Sequence, residues 1–365
     1  MSEVKFKLAA GTNVGLIRQN NEDNFVVCSD LSTSNWLIPQ VGDYADLGKY
    51  GALLVVADGM GGANAGEVAS AIAVETIQNL FVPEQIEGAI ASDKSIQEFM
   101  KDVVKTADLN IFNHSHEDSS TKGMGTTIVM AWIIDSKAYI CWCGDSRCYV
   151  LNKRHGLIQL SKDHSYVQEL VDKGELNPEL MHDHPLANVI TRCLGDVENR
   201  ANPETRIHQL HNGDIIMLCS DGLCGLCHDN EILDVMINYH EDPQECKNEL
   251  ISAALSAGGY DNVTVAVASI MMEGEEEEDD IGWDTLANSN KEAQPEEEDL
   301  STTIRSEAIG RRSKKHLLAR CLLVFLLLLI AAGVYVYYTI GFENFQNEIT
   351  ITINKIYNNI KTLHS

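Results

Sequence analysis

GALLVVADGMGG, residues 51–62, sets the frame for the rest of the chain. Its first seven residues are apolar or glycine, rich in β-branched types, and bounded by Gly51 and Asp58, so they read as a strand. The strand stops on an acid that is followed at once by Gly59-Met60-Gly61-Gly62. Similar apolar runs recur at 126–134 (TTIVMAWII), 138–142, 214–219 (DIIMLC) and 262–269 (NVTVAVAS). Two longer segments carry helical periodicity. In 66–81, Val68, Ile72, Val74, Ile77 and Leu80 form one apolar stripe; the other segment is 95–112. Strands, then a helix pair, then strands again argue for α+β layers rather than a βαβ repeat. There is no internal repeat.

Outward from this frame, the acids repeat one placement. Asp58 ends its strand. Asp145 follows the run at 138–142, within Gly144-Asp145-Ser146-Arg147. Asp221 follows DIIMLCS and precedes Gly222. Asp261 follows Gly258-Gly259-Tyr260 and opens the last strand. Glu22 and Asp23 come early, after Arg18-Gln19-Asn20-Asn21. One strand-end acid beside glycine is ordinary turn chemistry. Five repeats suggest an all-oxygen cluster suited to hard divalent ions, Mg²⁺ or Mn²⁺. Glycine beside an acid lets the backbone approach closely, so that a carbonyl can coordinate as well. No Ser-His-Asp set and no HExxH stands out. No cysteine has an arginine at Cys-x5-Arg spacing followed by Ser or Thr. Without a protein nucleophile in view, a water activated by two divalent ions is the natural one.

At this point the chain resembles the PP2C-type (PPM) metal-dependent protein phosphatases, and within them the bacterial branch. The resemblance rests on RQNNEDNF (18–25), VVADGMGG (55–62), GMGTT (123–127), CGDSR (143–147), DHS (163–165), NVITRCLG (188–195), LCSDGL (218–223) and YDNVTV (260–265), all in family order. It implies a four-layer α-β-β-α sandwich, two antiparallel sheets flanked by helices. It implies phosphoserine/phosphothreonine hydrolysis in proteins, substrates of a Ser/Thr kinase. It also implies roles. Asp58 would bridge two metals, Mn²⁺ or Mg²⁺. Asp221 and Asp261 would hold the first metal. Glu22 and the Gly59 carbonyl would reach the second. Arg18 would hold the phosphate with its planar fork. Asp23 would support from behind, and Asp145 with Asp221 would take a looser third ion. Some eukaryotic relatives carry a histidine after the Asp-Gly pair as general acid. Here Met60 cannot donate a proton, which leaves that role to water.

Residues 165–192 match the mobile flap of bacterial relatives. The stretch 165–173 reads as a helix stopped near Gly174, with Pro178 and Pro185 marking turns. His182-Asp183-His184-Pro185 is commonly a solvated loop. A sharper expectation has Asp183 reaching the third metal when the flap closes.

The formal net charge of −27 argues against nucleic-acid binding. Thirteen acids lie between Glu273 and Asp299, so much of that charge is local. The segment 271–315 therefore reads as an acidic, disordered linker with a basic flank, after a catalytic domain over 1–270. Residues 321–340 (CLLVFLLLLIAAGVYVYYTI) hold no charge and are long enough to span a bilayer, placing a transmembrane helix over 316–340. Arg311, Arg312, Lys314, Lys315 and Arg320 flank its start. The positive-inside rule then keeps the catalytic domain cytosolic, leaving 341–365 as a short outer tail. The expected setting is a bacterial inner membrane. The start of the chain lacks the apolar stretch of a signal peptide. Ten cysteines without framework spacing fit a reducing compartment. Two rival readings keep parts of this picture: a membrane scaffold that binds phosphoproteins without turnover, and a phosphatase for small phosphomonoesters. The intact acids Asp58, Asp221 and Asp261 argue against the first; nothing in the sequence excludes the second.

Overall fold

The computed structural model describes residues 4–33, 36, 43–61, 65–196, 198–272, 283 and 286. The chain divides into two units, Met1–Ala293 and Gln294–Ser365, and the described residues all lie in the first. The expected transmembrane helix, its basic flank, the outer tail and nearly all of the acidic linker lie outside the described residues. Among the described residues, no helix is long and apolar enough to cross a membrane.

The strands in chain order are Val4–Asn13 (β1), Asn24–Cys28 (β2), Ala45–Asp46 (β3), Ala52–Ala57 (β4), Gly59–Met60 (β5), Gly125–Thr126 (β6), Ile128–Ile134 (β7), Lys137–Cys143 (β8), Arg147–Asn152 (β9), Gly156–Gln159 (β10), Glu204–Gln209 (β11), Ile215–Cys219 (β12) and Val263–Met272 (β13). The helices are Ala65–Leu80 (α1), Pro83–Ala89 (α2), Asp93–Glu117 (α3), Tyr166–Asp172 (α4), Asp221–Cys224 (α5), Asp229–Asn238 (α6) and Pro243–Ser256 (α7). One sheet runs β10-β9-β12-β13-β1-β3, the other β11-β8-β7-β4-β2, and β5 pairs with β6 in a short ribbon. The pairings in both sheets are antiparallel, the longest joining β1 to β13 from Val4↔Met272 to Asn13↔Val263.

The run ALLVVA is buried at every position because both faces of its sheet are covered. Ala52, Leu54 and Val56 join Phe6, Leu8, Val129, Ile216 and Ala266 in the core between the sheets. Leu53, Val55 and Ala57 point the other way, into a core with Ala69, Ile77, Met100 and Ile111 from α1 and α3. The outer face of the six-stranded sheet is closed by α5, α6 and α7 through Leu223, Ile232, Met236 and Leu250. Three apolar layers separate four layers of structure, the expected sandwich. Period-two alternation would leave one face wet; its absence in β4 is what a covered sheet requires.

Local signals place the helix starts. Ser92 Oγ accepts from the Ser95 N–H at 3.1 Å to cap α3. Asp242 Oδ1 accepts from Gln244 N–H at 2.8 Å, and Pro243 opens α7. In the flap, α4 ends before Gly174, whose φ of 72° is the left-handed value that a glycine accepts at no cost. Thr191 N–H donates to His164 O at 2.7 Å and Tyr166 N–H to Val189 O at 2.8 Å, so the flap's two ends are tied together. Two residues of the expected linker, Trp283 and Leu286, pack against the core on the outer face of the six-stranded sheet, with Trp283 4.8 Å from the His240 ring and Leu286 beside Gly156. At those two positions the segment is anchored on the domain.

Candidate active site

The acids singled out from the sequence converge at one end of the sandwich, drawn from both sheets. Asp58 leaves β4, Asp145 sits in the β8–β9 turn, Asp221 opens α5 after β12, and Asp261 precedes β13. The side chains of Asp58 and Asp221 stand close enough to interact. Burial, then the neighbouring Asp221 and Asp23 carboxylates, hold Asp58 well above the usual carboxylate range. Asp145 is held well above it by burial, then by Asp221 and Asp163. Asp221 is raised by burial and by Asp261, and Glu22 is raised by burial against the pull of Arg18. Such mutual repulsion marks a place built for a cation.

Backbone and hydroxyl groups fix this cluster. The Thr127 N–H donates to Asp58 O at 2.8 Å, and Asp58 N–H donates back to Thr127 Oγ1 at 3.2 Å. Thr127 Oγ1 also lies 2.7 Å from Ser146 Oγ, coupling the Asp58 strand end to the Asp145 turn. Thr126 Oγ1 donates to Asp58 O at 2.8 Å. Glu22 is clamped through its backbone: Ser70 Oγ and Gly59 N–H donate to its carbonyl at 2.6 and 3.2 Å, and its own N–H donates to Asn262 Oδ1 at 2.8 Å. A Cβ at Gly59 would run into the Glu22 and Gly66 carbonyls, and one at Gly222 would run into Asn262 O. Both glycines beside acids are required by close packing. Asp23 is buried and accepts from Ser220 Oγ at 2.7 Å and Thr264 Oγ1 at 2.6 Å. Burial still raises it to about 7.

Arg18 is half-exposed and its Nη2 donates to Asp261 Oδ2 at 2.7 Å. That pairing raises the guanidinium's proton affinity further. Asp183 is not drawn in: its side chain is 85 % exposed on the flap, 3.9 Å from His182 Nδ1. Beneath the flap a cavity of about 640 Å³ is lined by Asp145 and Asp221 on one side and by Met181, His182 and Asn188 on the other. The His182 ring lies against the His228 ring, tilted by 33° with centroids 4.0 Å apart. The nine cysteines among the described residues are free, eight of them buried.

Sequence reasoning missed the residues that position the acids: Thr127, Ser70, Asn262, Ser220 and Thr264. Four of the five stand inside motifs already quoted, GMGTT, LCSDGL and YDNVTV. It also missed Arg147, whose Nε and Nη2 grip Asp163 at 2.7–3.0 Å behind the Asp145 turn. An arginine two residues past one acid and a buried Asp163 in DHS were the available signal.

The donor set is oxygen only: four aspartates, one glutamate and backbone carbonyls at strand ends. That chemistry fits small divalent cations better than soft transition metals.

Comparison with known proteins agrees. The family model for protein phosphatase 2C matches residues 43–257. The serine/threonine phosphatase stp of Listeria monocytogenes serotype 4b is 34 % identical over 261 residues, covering 70 % of this chain and 92 % of that protein. The crystal structure of the Mycobacterium tuberculosis serine/threonine phosphatase PstP/Ppp superposes with a TM-score of 0.59 at 31 % identity, covering 73 % of this chain and 98 % of that one. The PstP catalytic domain in complex with two manganese ions superposes with a TM-score of 0.57 at 30 % identity, covering 73 % of this chain and 99 % of that one. This chain thus belongs to the protein phosphatase 2C family, as a serine/threonine phosphatase of the bacterial type.

Proposed function

We propose that the acid cluster holds two divalent cations, Mn²⁺ or Mg²⁺, with a looser third beside Asp145, and that the chain removes phosphate from phosphoserine and phosphothreonine in proteins. The observation that carries this reading is the convergence of five acids at one end of the sandwich, Asp261 among them, with the carboxyls of Asp58, Asp221, Asp145 and Glu22 pushed towards the protonated state. When bound, the cations supply charge neutralisation at the phosphoryl group and an activated water. Asp58, at the centre of the repulsion, would be shared by the two cations; Asp221 and Asp261 would hold one of them, and Glu22 and the Gly59 carbonyl the other. Asp23 supports from behind.

The chain's own residues then position the substrate. Arg18 is tied to Asp261. Released from Asp261, the planar Arg18 guanidinium would take phosphate oxygens in its fork. Met60 offers no proton, so the leaving serine or threonine oxygen takes its proton from water. The cavity under the flap, about 640 Å³, opens beside Asp145 and Asp221, where the substrate segment around the phosphorylated residue would lie. Closing the flap would bring Asp183 towards Asp145. The experiment is hydrolysis of a phosphothreonine peptide with Mn²⁺ and with excess chelator. Equal rates in both would overturn the reading.

The reading extends to placement. A helix over 316–340 would hold the catalytic domain, 1–270, at the cytosolic face through the linker 271–315, leaving 341–365 outside. The support is the uncharged run 321–340 and its basic flank. Tethering raises the effective concentration of phosphoproteins at the same membrane, the products of a membrane-bound Ser/Thr kinase. Recovery of the full chain in the soluble fraction after carbonate extraction would contradict the anchor.

A further inference from the structure

Three groups meet at the turn that carries the chain from β11 in one sheet to β12 in the other. His208 lies on β11, and His211 and Asp214 lie in the turn after it. Asp214 Oδ2 is 3.5 Å from His208 Nε2 and 3.6 Å from His211 Nδ1. All three donor atoms fall within 4.8 Å of one another. These separations are too long for a well-formed hydrogen bond. His208 Nε2 is buried and makes none. The two distances to Asp214 Oδ2 match a different geometry. A zinc-class ion holds nitrogen and oxygen at about 2.0–2.2 Å, and two such ligands at the tetrahedral angle stand about 3.4 Å apart.

The carboxylate is already aimed. Asp214 is 1 % exposed. Its Oδ1 accepts from Asn152 Nδ2 at 2.6 Å, and its Oδ2 accepts from the His211 N–H at 2.9 Å. Outer contacts of this kind hold a metal ligand in orientation. The turn itself is pinned to β13: Gly213 N–H donates to Ile270 O at 3.0 Å, and Ile270 N–H donates to Asp214 O at 2.9 Å. The two imidazoles cross at 69° with centroids 6.4 Å apart, like two walls of a cleft. A plain ion pair in a polar turn would leave a buried ring nitrogen without a partner, which folded proteins seldom tolerate.

We infer that His208, His211 and Asp214 form a second metal site, for one transition-metal ion of the Zn²⁺, Co²⁺ or Ni²⁺ class. Two imidazoles and one carboxylate select these ions over Mg²⁺, the opposite preference to the oxygen-only cluster. The two sites stand at opposite ends of β12, roughly 20 Å apart at the rise of a strand. His211 is more than half exposed, so solvent reaches the ion and completes its coordination. The ion ties β11 to the start of β12, and so one sheet to the other. Because the ligand set exists only in the folded chain, binding raises the melting temperature.

The test uses the full chain with Mg²⁺ in excess to fill the oxygen cluster, and titrates Co²⁺ while reading visible absorption and melting temperature. One Co²⁺ per chain should bind with the intense bands of a four-coordinate site and raise the melting temperature. His211→Ala, at an exposed ring, and His208→Gln should each lose the bands and the shift while keeping Mn²⁺-dependent turnover. Asp58→Asn should keep the bands. If Co²⁺ gives no such bands, or if both histidine variants give the wild-type spectrum and stoichiometry, the site does not exist.

Discussion

Asp58 and Thr127 show what single residues contribute. Asp58 is the acid on which burial and three neighbouring carboxylates, Asp221, Asp23 and Asp145, act together. Asp58→Asn removes one charge and little volume, so the fold should hold. Loss of several kcal/mol of transition-state stabilisation would lower kcat about a thousandfold or more, read by peptide hydrolysis. Thr127 acts at one remove, through Asp58 and Ser146. Thr127→Val keeps the shape but strands the Asp58 N–H and the buried Ser146 hydroxyl. The expected cost is about 1–3 kcal/mol in stability, read by denaturant unfolding, with kcat falling more than KM rises. Thr127→Ser should rescue both. Asp58 was legible because an acid at the end of an apolar strand is a pattern in sequence. Thr127 was not, because its role depends on Ser146, nineteen residues on, and only folding brings the two hydroxyls together.

At the level of elements, strands buried on both faces were the readable ones. β4, β7, β8, β12 and β13 are near-continuous apolar runs, and their expected bounds fall within a few residues of those observed. β1 was missed although Phe6 and Leu8 alternate with Lys5 and Lys7, because Ala9, Ala10 and Gly11 end the alternation early. β11 was missed because ETRIHQ is an edge strand with few apolar groups, and pairing with β8 rather than composition makes it a strand. α7 was missed although Asp242-Pro243 is a cap followed by a favoured first residue. The contact between β7 and the helices centres on Trp132, which is fully buried, lies edge-on to Phe81 at 5.1 Å, and donates from Nε1 to Tyr50 O at 2.8 Å. Trp132→Ala should cost about 3–5 kcal/mol in unfolding free energy and leave the turnover of the folded fraction unchanged, since this core lies behind the acid cluster.

The whole molecule carries charge where it is least comfortable, and this gives the metal-free protein a distinctive response to pH. Asp23 moves from its ordinary 3.8 to about 7, and Asp58, Asp145, Asp221 and Glu22 are displaced in the same direction. Acids raised on folding bind more protons in the native state. Their contribution is complete below the unfolded value and is lost as pH rises through the folded one. The chelator-stripped chain should therefore lose melting temperature from about pH 4 to about pH 7, beyond what its surface acids cause, and Asp58→Asn should flatten that slope. Mn²⁺ at neutral pH should restore the loss, because cations replace the missing protons. The α+β layering could be read from the grouping of strands and helices, the four-layer sandwich from the family motifs, and the acid-rich end of the sandwich from the strand-end acids. The cavity under the flap and the turn between the sheets could not, since both arise where distant segments meet.

The most direct measurement is calorimetric titration of Mn²⁺ into the chelator-stripped full chain and its Asp58→Asn variant, with phosphothreonine-peptide hydrolysis followed on the same samples. The wild type should bind two Mn²⁺ ions and turn over substrate only when they are present. Asp58→Asn should show a native circular dichroism spectrum, lose Mn²⁺ binding at the bridged pair and lose turnover with it. An Asp58→Asn chain that binds Mn²⁺ and hydrolyses the peptide like wild type would contradict a cation-bridged active site at Asp58.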